Sequence, residues 1–176
     1  MIEAQLPSPR RRRAYLPLLA EKADLVGYRT IMARLLDGLK VLVVEDDADG
    51  RELLSVALEF YGADVCAVDG AEAARRMLAR QIPHVLVSDI GMPGEDGYSL
   101  IQSVRKLAAS GKRHMPAVAL TAFTTAADRA RALEAGFDSH IPKPVEPQVL
   151  AQLLRELVQT SSGSLPASTG SLPVSN

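Results

Sequence analysis

Four places in this chain put chemically able side chains at the end of a short run, apolar in three of the four. Glu45-Asp46-Asp47 follows Val41-Leu42-Val43-Val44, and Asp89 closes the run that opens Val85-Leu86-Val87. Thr121 follows Ala117-Val118-Ala119-Leu120, and Lys143 stands just beyond Ser139-His140-Ile141, between Pro142 and Pro144. Acids gathered at one rim repel one another and raise the pKa of some, unless a cation joins them. Hard oxygen ligands with room for water suit Mg2+, which takes one or two carboxylates together with phosphate oxygens. A lysine across the rim supplies a second positive charge, and a threonine supplies a hydroxyl. Acids, a divalent ion, a hydroxyl and a lysine make a site for phosphoryl chemistry.

For these residues to meet, the runs before them must be neighbouring strands. Three of the runs are continuously apolar rather than alternating, as strands buried on both faces of a parallel sheet should be. A weaker strand is expected over 63–68 and a fifth over 139–141. Helical patterns fall between them, over 51–61, 71–80, 98–109, 126–135 and 147–157. Gly62, Gly111 and Gly136 stand where left-handed caps would end three of these helices. Five strands alternating with five helices predict an α/β fold with a doubly wound sheet. Such sheets bind ligands outside the carboxyl ends of their strands, where the acids, Thr121 and Lys143 stand.

The 176 residues, 47% hydrophobic and 23% charged with a net charge of −1, describe one globular domain's worth of core. A single cysteine, Cys66, excludes a disulfide scaffold, and no Cys/His cluster has zinc spacing. No apolar run approaches the roughly 20 residues needed to span a bilayer. Arg10 to Arg13 are not followed by a clean apolar stretch, so no secretory signal is expected. A cytoplasmic protein with no membrane contact is therefore expected. The near-zero net charge argues against direct binding to DNA.

The charge is uneven. Residues 1–40 carry eight Lys/Arg against four Asp/Glu, residues 41–159 twelve against seventeen, and residues 160–176 none. Three segments follow: 1–38, 39–159 and 160–176. The first holds the arginine block, read as a solvated arm, and then Leu25, Tyr28, Ile31, Met32, Leu35 and Leu36 at helical spacing. Those residues predict an amphipathic helix over 21–36, ended by Asp37-Gly38. The last segment is Ser, Gly, Pro and Thr with Gly-Ser-Leu-Pro repeated at 163 and 170, and reads as a disordered tail.

Over Leu39 to Val158 the chain resembles a known family, the CheY-like receiver domain of two-component response regulators. The motifs that carry the resemblance are Val41 to Asp47, Ser88-Asp89-Ile90-Gly91-Met92-Pro93-Gly94-Glu95-Asp96-Gly97, Ala119-Leu120-Thr121-Ala122 and Pro142-Lys143-Pro144. The resemblance implies a flavodoxin-like sheet in the order 2-1-3-4-5. It implies that Asp89 accepts a phosphoryl group from a phosphohistidine of a histidine kinase or a histidine phosphotransfer protein. Asp46 would bind Mg2+ directly, Glu45 would act through water, and Gly91 would offer its backbone carbonyl. Lys143 would pair with one phosphoryl oxygen and Thr121 with another, and Lys143-Pro144 would be cis. His140, three residues before the lysine, takes the place of the family's switching ring. An imidazole there would make the switch sensitive to pH near neutrality. The readout would be a downstream protein bound to the face of the fourth helix, fifth strand and fifth helix. The protein would be a phosphoacceptor rather than an enzyme.

Other readings meet specific obstacles. A phosphatase of the haloacid dehalogenase type needs a second Asp two residues past the nucleophile, and Gly91 stands there. A flavin or nucleotide binder wants a glycine-rich loop after the first strand, where the acids stand instead. A phosphorylation-independent adaptor of the same fold usually lacks an acid or the lysine. With no further domain after Val158, a stand-alone receiver is expected, and the detached receiver end of a hybrid sensor kinase is the alternative. Of Asp47 and Asp49 one reads as a surface residue and the other as a cap, His84 and His114 read as bland, and Cys66 as a buried small hydrophobe. Gly91 and Phe123 give no polar handle for a water near the phosphoryl group. Self-dephosphorylation should therefore be slow to moderate, and a phosphoryl half-life of seconds at room temperature, followed by mass spectrometry, would contradict this.

Overall fold

The structure, a computed structural model, describes residues 34–109, 114–122 and 125–162. Strands β1 (Lys40–Val44), β2 (Asp64–Val68), β3 (Val85–Asp89), β4 (Ala117–Thr121) and β5 (Ser139–Pro142) alternate with five helices. These are α1 (Ala48–Phe60), α2 (Ala71–Arg80), α3 (Gly97–Ala109), α4 (Ala126–Ala135) and α5 (Pro147–Ser162). The strands form one parallel sheet in the order β2-β1-β3-β4-β5, with Val41 opposite Val85 and Leu86 opposite Ala117. This is the flavodoxin-like order that the family resemblance implies.

Successive residues of a strand point to opposite faces, and both faces here are covered. Val41, Val43, Val85, Val87, Val118 and Leu120 pack with Leu54 and Leu58 of α1 and Leu150, Ala151 and Leu154 of α5. Leu42, Val44, Leu86, Ala117 and Ala119 pack with residues of α2, α3 and α4, among them Ala74, Leu78, Leu100, Ile101 and Ala132. The continuous apolar runs are therefore strands buried on both sides. Edge strands have one neighbour only, and β2 is no more than half-buried along its length. Cys66 lies on it and is half-buried, not the buried small hydrophobe that its run suggested. Burial still pushes its thiol pKa up, and Asp64 adds to the rise.

Three boundaries differ from the sequence reading, each for a local reason. Helix α1 starts at Ala48, because the Asp47 side chain accepts from the Gly50 N–H at 2.7 Å and caps it. Helix α5 runs to Ser162, into residues expected to be tail. The Thr160 and Ser161 hydroxyls donate to the Glu156 and Leu157 carbonyls there, so the polar residues continue the helix. Residues 34–38 form a turn rather than the end of a helix. Within it Leu36 is fully buried with Leu58, Tyr61, Leu150 and Leu154, and its N–H donates to the Tyr61 carbonyl at 2.7 Å. The packed unit thus takes in residues ahead of Leu39. The arginine block, most of the helix expected over 21–36, Gly111, Phe123 and residues 163–176 lie outside the described residues.

One side chain fixes the lower end of β4. Arg105 of α3 donates to the Gly136 and Met115 carbonyls and to Asp138 Oδ2, each at 2.7 Å. Burial lowers the Arg105 pKa, and Asp138 opposes that shift. Gly136, in the left-handed region at φ +118°, ends α4, and a Cβ there would press on the Arg105 side chain.

Leu36 lies ahead of the region that the sequence motifs cover yet is among the most buried residues. Leu36→Ala should cost about 2–5 kcal/mol of stability, the usual range for a deep leucine truncation, read as a lower urea midpoint. A loss under about 0.5 kcal/mol, the size of a surface substitution, would mean that the turn is not part of the core.

Candidate functional site

The sheet order brings the expected residues to one rim. Glu45 and Asp46 follow β1, Asp89 ends β3, Thr121 ends β4 and Lys143 follows β5. Glu45, Asp89 and Thr121 are only 2%, 8% and 3% exposed, so their polar atoms must find partners in the protein or in a bound group. One carboxylate oxygen each from Glu45, Asp46 and Asp89 lie within 4.8 Å of one another. The Lys143 Nζ donates to Glu45 Oε2 and to Asp89 Oδ2, both at 2.8 Å, and to Glu45 Oε1 at 3.1 Å. Lys143 reaches them from a cis Lys143-Pro144 bond, and its own N–H donates to the Thr121 carbonyl at 2.8 Å.

One ammonium bridges two of the three carboxylates. Burial pushes the Glu45 pKa up, and Asp89 adds to this against the pull of Lys143. Burial works to lower the Lys143 pKa, but its hydrogen bonds to Asp89 and Glu45 raise it overall. The donor set is hard, anionic and under-neutralised, and so fits a hard divalent cation such as Mg2+.

Two loops hold these groups in place. In the first, Arg51 of α1 donates through Nη1 to the Glu45 carbonyl at 2.7 Å and the Asp46 carbonyl at 3.0 Å. In the second, the Gly91 N–H donates to Asp89 Oδ1 at 3.1 Å, and the buried Met92 packs in the core that holds Ala71 and Ala74 of α2. Glu95 farther along accepts both terminal nitrogens of Arg75 on α2, a forked geometry that fixes orientation as well as distance. The loop closes at Gly97, whose N–H donates to the Ile90 carbonyl at 3.0 Å. A Cβ at Gly97 would run into the Asp89 carbonyl oxygen and lie 2.9 Å from Ile90 Cα.

The side chains of Glu45, Asp46, Asp89 and Lys143 therefore lie together, with Thr121 at the end of β4 on the same rim and the Gly91 N–H on Asp89. His140 lies on β5 opposite Ala119 and is half-buried. Of the two acids read as one cap and one surface residue, Asp47 is the cap and Asp49 the exposed first-turn residue. His84 Nδ1 accepts from the Lys40 N–H at 2.9 Å, and His114 Nε2 lies 2.8 Å from Asp138 Oδ1, so both serve local structure. The sequence reading passed over Arg51, Arg75, Glu95 and the tight packing at Gly97. Only Gly97, next to Asp96 at a helix start, carried a visible turn signal. Because backbone atoms leave no room, Gly97→Ala should cost about 1–3 kcal/mol, the usual range for overpacking, seen as a lower melting temperature. An unchanged melting temperature would show that the loop has slack.

A family model described as the response regulator receiver domain matches residues 41–155. An uncharacterized 14.6 kDa protein from the sodA1 3' region of Leptolyngbya boryana is 42% identical over 118 residues, 67% of this chain and 88% of that protein. The response regulator protein FleR of Pseudomonas aeruginosa is 39% identical over 136 residues, 77% of this chain and 27% of FleR. Among solved structures, the signal receiver domain of a signal transduction histidine kinase from Syntrophus aciditrophicus matches with a TM-score of 0.63 and 29% identity. That match covers 79% of this chain and all of the other. With the sheet order and the acid rim already in place, these matches fix the family: the chain belongs to the response regulator receiver domains of two-component systems.

Proposed function

We propose that Asp89 accepts a phosphoryl group from a phosphohistidine of a histidine kinase or a histidine phosphotransfer protein. The observation that carries this reading is the Lys143 ammonium shared between Asp89 and Glu45 at the rim of the sheet. A carboxylate oxygen of Asp89 attacks phosphorus, forming a P–O bond as the P–N bond to the imidazole breaks. The pair of electrons stays on the imidazole nitrogen of the donor. Asp46 and Asp89, Glu45 through water and the Gly91 carbonyl would hold Mg2+, which neutralises charge on the transferring group when bound. Lys143 exchanges its contact with Asp89 for one with a phosphoryl oxygen, and the Thr121 hydroxyl donates to another.

The added charge at Asp89 then biases the face of α4, β5 and α5, with His140 as the switching ring. Leu133 of α4 and Val149 of α5 are exposed on their helices and available to a downstream protein. The chain acts stoichiometrically, as an acceptor and not as a turnover enzyme. A second reading, the receiver end of a hybrid sensor kinase, is favoured by the likeness to the receiver domain of the Syntrophus histidine kinase. No helix among the described residues is long and apolar enough to cross a membrane.

Incubation with acetyl phosphate and Mg2+, followed by intact-mass spectrometry, tests the chemistry. One added phosphoryl group is expected, which does not form when the metal is chelated beforehand or in Asp89→Asn. No adduct from acetyl phosphate or from a histidine-kinase donor would leave a phosphorylation-independent adaptor as the better reading.

A further inference from the structure

Between the last strand contact of β1 and the first helical contact of α1 lie two carbonyls, those of Glu45 and Asp46. The Glu45 N–H still donates to the Val68 carbonyl at 3.1 Å, and the Asp47 carbonyl already accepts from the Arg51 N–H at 2.9 Å. Neither ladder therefore takes the two carbonyls between. One guanidinium nitrogen, Nη1 of Arg51, takes both. These are the backbone groups of the acids placed at the proposed Mg2+ site. The turn is close-packed around them: a Cβ on Gly50 would lie 3.1 Å from Asp47 Oδ1 and 3.5 Å from the Glu45 side chain. Arg51 is also a permanent positive charge in a turn that carries acids at 45, 46 and 47.

We propose that Arg51 is a positioning residue for cation binding, setting the separation and aim of the Glu45 and Asp46 carboxylates by fixing their backbone. The inference rests on the reading of this rim as a Mg2+ site. An outer group that orients metal ligands is commonly worth 10–100-fold in metal affinity, whereas a residue that only stabilises a helix start is not. Arg51→Gln should therefore weaken Mg2+ binding at least about tenfold while the chain stays folded. Arg51→Lys keeps the charge on a shorter head that reaches the two carbonyls less well, so its affinity should lie between the two.

Isothermal titration of Mg2+ into the full chain tests this, with far-UV circular dichroism to check the fold. Asp46→Asn serves as the site control. Arg76→Gln removes an arginine that pairs with Glu72 on the exposed side of α2, and should bind like the parent. Dissociation constants for folded Arg51→Gln and Arg51→Lys within about twofold of the parent would overturn the proposal, as would an equal loss in Arg76→Gln. If Arg51→Gln does not fold, the Arg51→Lys arm decides by the same criterion. A parent chain that shows no binding, like Asp46→Asn, would instead remove the Mg2+ reading and the role of Arg51 with it.

Discussion

A lysine ammonium held between two carboxylates, with a third close by, is the constraint around which this molecule is organised. Lys143 faces Glu45 and Asp89 at 2.8 Å, and neither acid is more than 8% exposed. Buried charges on this scale persist only when they are paired or hydrogen-bonded, and removing one partner strands the others. Three acids with one lysine remain under-neutralised, so the arrangement is stable in a folded chain but poised toward further positive charge. Burial raises the Glu45 pKa and Lys143 opposes that rise, so the pairing is what keeps a charge there.

The sheet makes that imbalance sustainable. Glu45 and Asp46 follow β1, Asp89 ends β3 and Thr121 ends β4, strands that are almost wholly buried, so their apolar burial anchors the polar rim, and Lys143 joins it from the partly buried edge strand β5. Adjacent strands run parallel, and their ends therefore fall in one place; an antiparallel neighbour would have sent its terminal residue to the far edge. The cap at Asp47 and the fork between Arg75 and Glu95 then hold the loops that leave the strands.

Much of this was legible in the residues. Val41–Val44 and Ala117–Leu120 read as two-sided strands because the physical cause, cover on both faces, leaves an uninterrupted apolar run. Asp89 and Thr121 stood out because a polar residue that closes such a run has few places to go, and Lys143 stood out by its place between Pro142 and Pro144. Arg51 did not stand out: a bond from a side chain to a carbonyl six residues back depends on the shape of the turn, which no residue type announces. Arg75 and Glu95 are twenty residues apart and meet only because α2 lies over the second loop. Leu36 showed its apolar spacing but not its target, since periodicity gives a face without saying what covers it. Thr160 and Ser161 read as tail by composition, while their hydroxyls fold back to extend α5.

The sheet also divides the interior into two cores, one under α1 and α5 and the other under α2, α3 and α4. The two loops at the rim are fastened on opposite sides of that partition, one to α1 through Arg51 and the other to α2 through Arg75 and Met92. Widening or narrowing the gap between Asp46 and Gly91 therefore loads both helical layers at once. At the rim the two halves of the molecule share a mechanical joint, and a strain applied there is divided between them rather than absorbed by either.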